Sequence, residues 1–168
     1  MFPLSPSDPF PTTRAALLAY LDGYREFVIG RVESLGEEPA RRSTLPSGWS
    51  PLELLVHLRH VERRWLVWGF EGVVVPDPFG DWRDGRWSAG DDRTVSVAVT
   101  ELREQGRTTT QVVSSHELTE VGAESERWDG APPPTLERIL LHLLQEYARH
   151  AGHLDIVVEL AGGPTGAP

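Results

Sequence analysis

The stretch from Thr135 to Leu160 constrains the fold most strongly, because it has the pattern of one long helix whose inward face carries charge. Steps of three and four residues, the spacing of a single helical face, connect Ile139, Leu143, Glu146, His150, His153 and Val157. A carboxylate and two imidazoles in the middle of an apolar stripe need partners or a metal ion to offset their burial. His142 lies one turn before Glu146, beside the same stripe. We call the polar residues Glu146, His150 and His153 of this stripe the polar window. The sequence therefore predicts that the polar window faces another element across a core.

Three other stretches have helical patterns with recognisable ends. Thr12 or Thr13 can cap a first helix that runs to about Leu35, where Gly36 stops it. The run Ser50-Pro51-Leu52-Glu53 has the form of a capping box and predicts a second helix to about Trp68. Apolar spacing predicts a third helix from near Thr94 to about Ser115.

Four amphipathic helices joined by two long connections predict an all-α protein, an up-down-type four-helix bundle. The bundle should span residues 12–162, with an extended arm at 1–11 and a tail at 163–168. The connection from Gly69 to Arg93 is rich in proline, glycine and aspartate and is predicted as a long loop. A short strand at Val73–Val75 within a small sheet is the alternative arrangement.

Composition excludes several function classes. A net charge of −9 argues against nucleic acid as a partner. All 16 basic residues are arginine, so lysine Schiff-base chemistry and P-loop phosphate binding are excluded. Without cysteine there is no disulfide, zinc–thiolate site or internal thiol nucleophile. No apolar run approaches the roughly 20 residues of a membrane span, and the N-terminus does not have the pattern of a secretory signal. These features predict a cytoplasmic protein without a membrane partner.

The polar window has the residue types of a metal site. Glu146 and His150 are four residues apart, which places both side chains on one helical face. His57, beside the buried stripe of the second helix, can supply a third ligand from across the core. Two imidazoles and a carboxylate are typical of catalytic zinc sites, where an open position holds water or substrate. The same ligands also suit iron, nickel or manganese.

A site without metal is the competing interpretation. A lone histidine near an apolar stripe is more often a hydrogen-bonded core residue, and His150 with Glu146 could be a buried ion pair. Three imidazoles and a carboxylate on one face of an otherwise aliphatic helix favour the metal.

Two stretches carry a resemblance to a known family. Gly48–Leu58, GWSPLELLVHL, and His142–Glu159, HLLQEYARHAGHLDIVVE, resemble motifs of the DinB/YfiT-like superfamily of metal-binding four-helix bundles. They are most similar to its actinobacterial mini-circle, or mycothiol-dependent DinB-like, branch. The resemblance covers about residues 12–162.

The resemblance implies a role for each matching residue. His57, Glu146 and His150 fall on the metal ligands. Many relatives have histidine where this chain has Glu146, whereas mycothiol-dependent isomerases of the superfamily have glutamate there. His153 falls just past the ligand pair, which implies a position either supporting the ligands or facing the substrate and makes it the candidate catalytic residue. Asp155 and Glu159 complete the signature and should face outward or towards arginines.

The resemblance also implies thiol chemistry. In such proteins a divalent metal binds the sulfur of a low-molecular-weight thiol such as mycothiol and stabilises the thiolate. Zinc is the first candidate for the metal in this chain. The thiolate then attacks an electrophile in S-transfer, or adds and leaves in an isomerisation. The implied partners are a small thiol and an electrophile, and relatives often form homodimers. The aromatic loop Phe79–Trp87, with Arg83 and Arg86, is the candidate wall of the thiol pocket. The alternative is that Trp82 and Trp87 only fill one end of the core.

Two other functions are compatible with the same residues. A metal-dependent hydrolase would use metal-bound water as its nucleophile, assisted by Glu146 or His153. A non-catalytic bundle that binds a metal or small ligand, or pairs as a dimer, would need no acid or base beyond the ligand set.

Overall fold

The computed structural model describes residues 4–5 and 7–165. Its helices are α1 (Thr13–Glu33), α2 (Glu37–Ala40), α3 (Pro51–Glu62), a π-helix (Arg63–Phe70), α4 (Val95–Ser115), a 3-10 helix (Glu126–Trp128) and α5 (Leu136–Leu160). Two short strands, β1 (Trp82–Arg83) and β2 (Arg86–Trp87), form the one named sheet in these residues. Parts of the predicted arm and tail, residues 1–3, 6 and 166–168, lie outside the described residues.

Side-chain caps set the starts of the long helices. Thr12 accepts a hydrogen bond from the backbone N–H of Ala15 at 3.1 Å. At α3 the capping box is complete, because Ser50 N–H donates to Glu53 at 2.7 Å and Glu53 N–H donates to Ser50 Oγ at 3.3 Å. Thr94 and Thr135 cap α4 and α5. These caps confirm the helix starts predicted from the sequence.

The long helices pack as an all-α bundle, which confirms the predicted fold class. Helix α1 packs against α5 and α4, and α3 packs against the same two helices. Leucines and valines from all four fill the core, among them Leu21, Leu58, Leu102 and Leu143, each at 0% exposure. Among the described residues, no helix is both long enough and apolar enough to cross a membrane.

The long connection after the second helix contains a hairpin at a different place from the predicted strand. Residues 73–75 are not in a strand, so that alternative is wrong. Strands β1 and β2 pair antiparallel, with Trp82 opposite Trp87. Asp84 and Gly85 at the turn have φ values of +48° and +80°, the left-handed conformations that a two-residue type I′ turn requires. The Asp-Gly dipeptide is a strong hairpin signal, and it outweighs the apolar run of three valines.

The second helix changes type halfway along. It is α-helical to Glu62 and π-helical from Arg63 to Phe70, where the N–H of Glu71 donates to the carbonyl of Leu66 at 2.9 Å. The predicted helix to about Trp68 is therefore confirmed, and the structure adds that its second half is π-helical and ends at Phe70. Periodicity did not reveal the wider turns, because a segment of two turns is too short to show a different period.

One buried carboxylate joins all four bundle helices. Glu62 of α3 is fully buried and accepts hydrogen bonds from Arg25 of α1 at 3.1 and 3.2 Å. Thr109 of α4 and Tyr147 of α5 donate to the same carboxylate. Gly106 leaves room for this cluster, since a Cβ there would lie 2.7 Å from the Arg25 guanidinium. The core thus holds a buried ion pair whose acceptors are satisfied from three directions.

Candidate metal centre

The structure brings together the three residues predicted to bind a metal. One ligand atom from each of His57, Glu146 and His150 lies within 4.8 Å of the other two. His150 Nε2 lies 3.3 Å from Glu146 Oε2, and the rings of His57 and His150 meet edge to face at 5.1 Å. His57 comes from α3 and the other two from successive turns of α5. The group therefore depends on the packing of α3 against α5.

The donor set suits a divalent ion. Two imidazole nitrogens and a carboxylate oxygen, with a pocket on their open side, match sites of three protein ligands and one exchangeable position. His150 Nδ1 is buried and has no hydrogen-bond partner among the described residues. A buried imidazole with a nitrogen that lacks a protein partner is typical of a metal ligand in a structure that does not include the ion. His57, Glu146 and His150 can thus hold a metal ion.

The protonation states also suit metal binding. The hydrogen bond with His150 lowers the pKa of Glu146, and the nearby His142 and His57 lower it further against the effect of burial. Burial lowers the pKa of His57, only partly opposed by its hydrogen bond to Asp81. At neutral pH, Glu146 is therefore a carboxylate and His57 a neutral imidazole, the forms in which both bind metal.

Asp81 holds the His57 ring in place. Its Oδ2 lies 2.8 Å from His57 Nδ1, and its other oxygen accepts a hydrogen bond from Arg64 at 2.5 Å. Burial would raise the pKa of Asp81, but the hydrogen bonds from His57 and Arg64 outweigh it and bring the pKa to about 2. Because Asp81 is ionised, His57 Nδ1 carries the ring proton and Nε2 keeps its lone pair. No pattern in the sequence indicates the role of Asp81, although the Asp-Gly turn three residues later marks where the chain reverses.

Arg64 is the second residue that positions Asp81. It is 9% exposed and binds Asp81 and the Pro78 carbonyl. Its partners follow 14 and 17 residues later in the connection, so helical spacing could not indicate them.

Aromatic side chains build the walls of a pocket of about 570 Å³ over the three ligands. Trp87 stacks on the His57 ring at 4.2 Å with an interplanar angle of 21°, and Trp49 packs against Trp87. Trp65 meets the His142 ring at 4.4 Å on the other side. The indole rings thus give the pocket flat apolar surfaces beside the polar ligand group.

The two remaining histidines of α5 lie beside the ligand group. His142 Nε2 is 3.4 Å from Glu146 Oε1, so it contacts the carboxylate from the side opposite His150. His153 is exposed at the pocket rim, with its ring 5.6 Å from that of His150. Burial, then the charges of His150 and Arg149, lower the pKa of His153. The structure places His153 where a bound molecule could reach it, and its catalytic role stays a prediction.

The predicted pocket wall at Phe79–Trp87 contributes Trp87 to this pocket, without its arginines. Arg83 pairs with Asp77, and Arg86 donates to the Gly48 carbonyl at 2.9 Å and to Glu53 at 3.1 Å. The arginines that do line the pocket are Arg64, Arg127 and Arg149. Successive residues of a strand point to opposite faces, so Trp87 stacks on His57, whereas Arg86 is directed to Gly48 and to Glu53 in the first turn of α3.

Asp155 confirms a smaller prediction. It forms a salt bridge with Arg31 of α1 at 2.8 Å, on the side of α5 away from the pocket. Part of the α5 signature therefore serves helix packing.

The chain is similar to a known family over most of its length. A family model described as mycothiol-S-transferase matches residues 16–163, which include every residue of the ligand group and of the pocket. No curated protein matches the chain at a significant level.

Proposed function

We propose, since this chain belongs to the mycothiol-S-transferase family of the DinB-like superfamily, that it joins the sulfur of mycothiol to a small electrophile at the His57–Glu146–His150 group. The observation that carries the proposal is the convergence of these three ligands beneath a pocket of about 570 Å³. The chain contains no cysteine, so the sulfur nucleophile of such a reaction comes from the cosubstrate.

In the proposed reaction a sulfur–carbon bond forms between the thiol and the electrophile while the bond to the leaving group breaks. The leaving group departs with the electron pair of that bond, and the thiol loses its proton. A divalent ion bound by the three ligands would lower the pKa of a coordinated thiol, with zinc as the first candidate.

The protein's own residues have separate tasks. Asp81 fixes the orientation of His57, and Glu146 is held ionised between His142 and His150. His153, at the rim and with its pKa lowered, is the proposed acceptor of the thiol proton. Trp49 and Trp87 exclude water from one side of the pocket.

The test combines metal analysis with turnover. Protein purified without a histidine tag is expected to hold about one divalent ion per chain, and to join mycothiol to an alkyl bromide faster than it joins simple thiols. Chelator treatment should abolish the reaction, and one equivalent of zinc should restore it. Rates equal to the uncatalysed reaction with every thiol, in metal-loaded protein, would overturn the proposal.

A further inference from the structure

Arg127 places a guanidinium group in the wall of the pocket. It belongs to the 3-10 helix between α4 and α5, and its Cζ lies 4.2 Å from the centre of the Trp65 ring. Trp128 lies against the same group at 5.6 Å. The two indoles hold the guanidinium plane in one orientation.

In the described part of the chain, this guanidinium has no acidic partner. Its Nε is buried without a hydrogen bond, and within residues 4–5 and 7–165 neither Arg127 nor Arg149 pairs with a carboxylate. Arg64, which lines the same pocket, forms a salt bridge with Asp81. Burial, then the charge of Arg64, lower the pKa of Arg127, so its charged form lies in an unfavourable position. A half-buried cation beside a second cation gains most from an anion that arrives with a ligand.

We propose that Arg127, with Arg149 at the rim, binds a carboxylate group of the electrophilic substrate. This inference rests on the proposed S-transferase function and names the class of electrophile: a small molecule with a flat apolar body and a carboxylate. The walls formed by Trp65 and Trp87 accept the flat body. The Arg127 guanidinium offers a planar pair of N–H donors to the carboxylate. The reacting carbon then lies over the three ligands, where the thiol is bound.

Packing alone is the competing explanation for Arg127. A guanidinium that only fills the space between Trp65 and Trp128 would not respond to the charge of a ligand. The two explanations therefore differ in one measurable property, the discrimination between a carboxylate and a neutral group of the same shape.

The experiment compares a bromomethylbenzoate with the matching bromomethylbenzamide in zinc-loaded protein with mycothiol. In each, the new sulfur–carbon bond displaces bromide and the thiol proton passes to the buffer. We expect kcat/KM to favour the benzoate by about tenfold or more, the worth of one charge-assisted hydrogen-bonded pair. Arg127→Gln should remove this preference, and Arg127→Lys, which keeps the charge but loses the planar pair of donors, should keep only part of it.

The matched control is Arg107→Gln, which removes the same charge from an exposed position on α4, 67% accessible. This variant should keep the full preference for the benzoate. Equal kcat/KM for the two compounds in the unaltered protein, or a preference that survives in Arg127→Gln, would overturn the inference. The second result would mean that the carboxylate binds elsewhere, for instance to the zinc ion.

An equilibrium measurement separates this inference from the proposed function. Toluate and toluamide have the same shapes but no leaving group, so their binding does not depend on turnover. Toluate binding that weakens about tenfold in Arg127→Gln supports the carboxylate site even if no bromide is displaced, an outcome in which only the S-transfer proposal fails. Turnover of both bromides without any preference, together with equal binding of toluate and toluamide, leaves S-transfer standing and overturns the inference.

Discussion

The Nδ1 atom of His57 lies 2.8 Å from the Oδ2 atom of Asp81, and this contact decides which nitrogen of His57 faces the other two ligands. Asp81 is itself fixed by Arg64, so hydrogen bonds connect the His57 ring, the Asp81 carboxylate and the Arg64 guanidinium in series. Because the pKa of Asp81 lies at about 2, the direction of the hydrogen bond does not change across the physiological range.

Replacing Asp81 by asparagine should therefore weaken metal binding. Arg64 would keep the amide oxygen, so the amide N–H group would face His57 Nδ1 and move the ring proton to Nε2. We expect the Kd for zinc to rise about ten- to hundredfold, measured by competition with a chelating dye. Asp77→Asn is the matched control, because Asp77 lies in the same connection, has φ +47° and is exposed. Unchanged zinc affinity in the folded Asp81→Asn protein would show that the contact does not orient the ring.

Removing a ligand should abolish stoichiometric metal binding. His57→Ala, Glu146→Gln and His150→Ala each leave two protein ligands, too few to retain zinc against a competing chelator. Elemental analysis after gel filtration should give well below half an ion per chain. His116→Ala serves as the control, because His116 contacts Glu120 and Phe70 and is not in the pocket lining. Full metal content in all three variants would place the ion elsewhere.

Glu62→Gln should destabilise the bundle strongly. The neutral amide cannot accept all the hydrogen bonds that converge on the carboxylate, and Arg25 loses its main buried counter-charge. We expect the free energy of unfolding to fall by about 3 kcal/mol, and the Tm by roughly 6 °C or more, measured by thermal denaturation. Glu26→Gln is the control, since its pair with Arg103 is exposed and should contribute less than about 1 kcal/mol. Equal effects of the two substitutions would show that burial does not strengthen the Glu62 network.

Alkaline stability should depend on Tyr147. Burial, then the charge of Glu62, raise the pKa of the Tyr147 phenol well above its ordinary value. A raised folded-state pKa stabilises the protein fully below the unfolded pKa of about 10, and the contribution is lost as the pH rises above that value. Unfolding by urea, followed at a series of pH values, should show stability falling above about pH 10. In Tyr147→Phe this part of the fall should be absent; an unchanged pH dependence would contradict the assignment.

Much of the fold follows from local signals. The serine and threonine caps and the apolar periods of three and four residues were enough to place α1, α4 and α5, because a helix end depends on neighbours in sequence. The pairing of Glu146 with His150 on one helical face could be predicted for the same reason. His57 needed the further assumption that α3 faces α5, which the bundle architecture supplies.

The partners that were missed come from distant parts of the chain. Asp81 follows His57 by 24 residues through an irregular connection, and no period relates the two. Glu62 did leave a trace, since it stands four residues after Leu58 and four before Leu66, both fully buried. That spacing marks it as inward-facing, but the charged residues beside it hide the pattern.

The Glu62 network also constrains how the four helices can be aligned along their axes. Sliding α1, α4 or α5 by a turn, about 5.4 Å, would withdraw a donor from Glu62, and sliding α3 would withdraw Glu62 from all three. Each shift would leave part of the buried carboxylate unsatisfied. Leucines from neighbouring turns could exchange places at little cost, but Arg25, Thr109 and Tyr147 cannot. The same alignment sets the height of His57 against α5. The buried charge thus selects the helix alignment in which His57 meets Glu146 and His150.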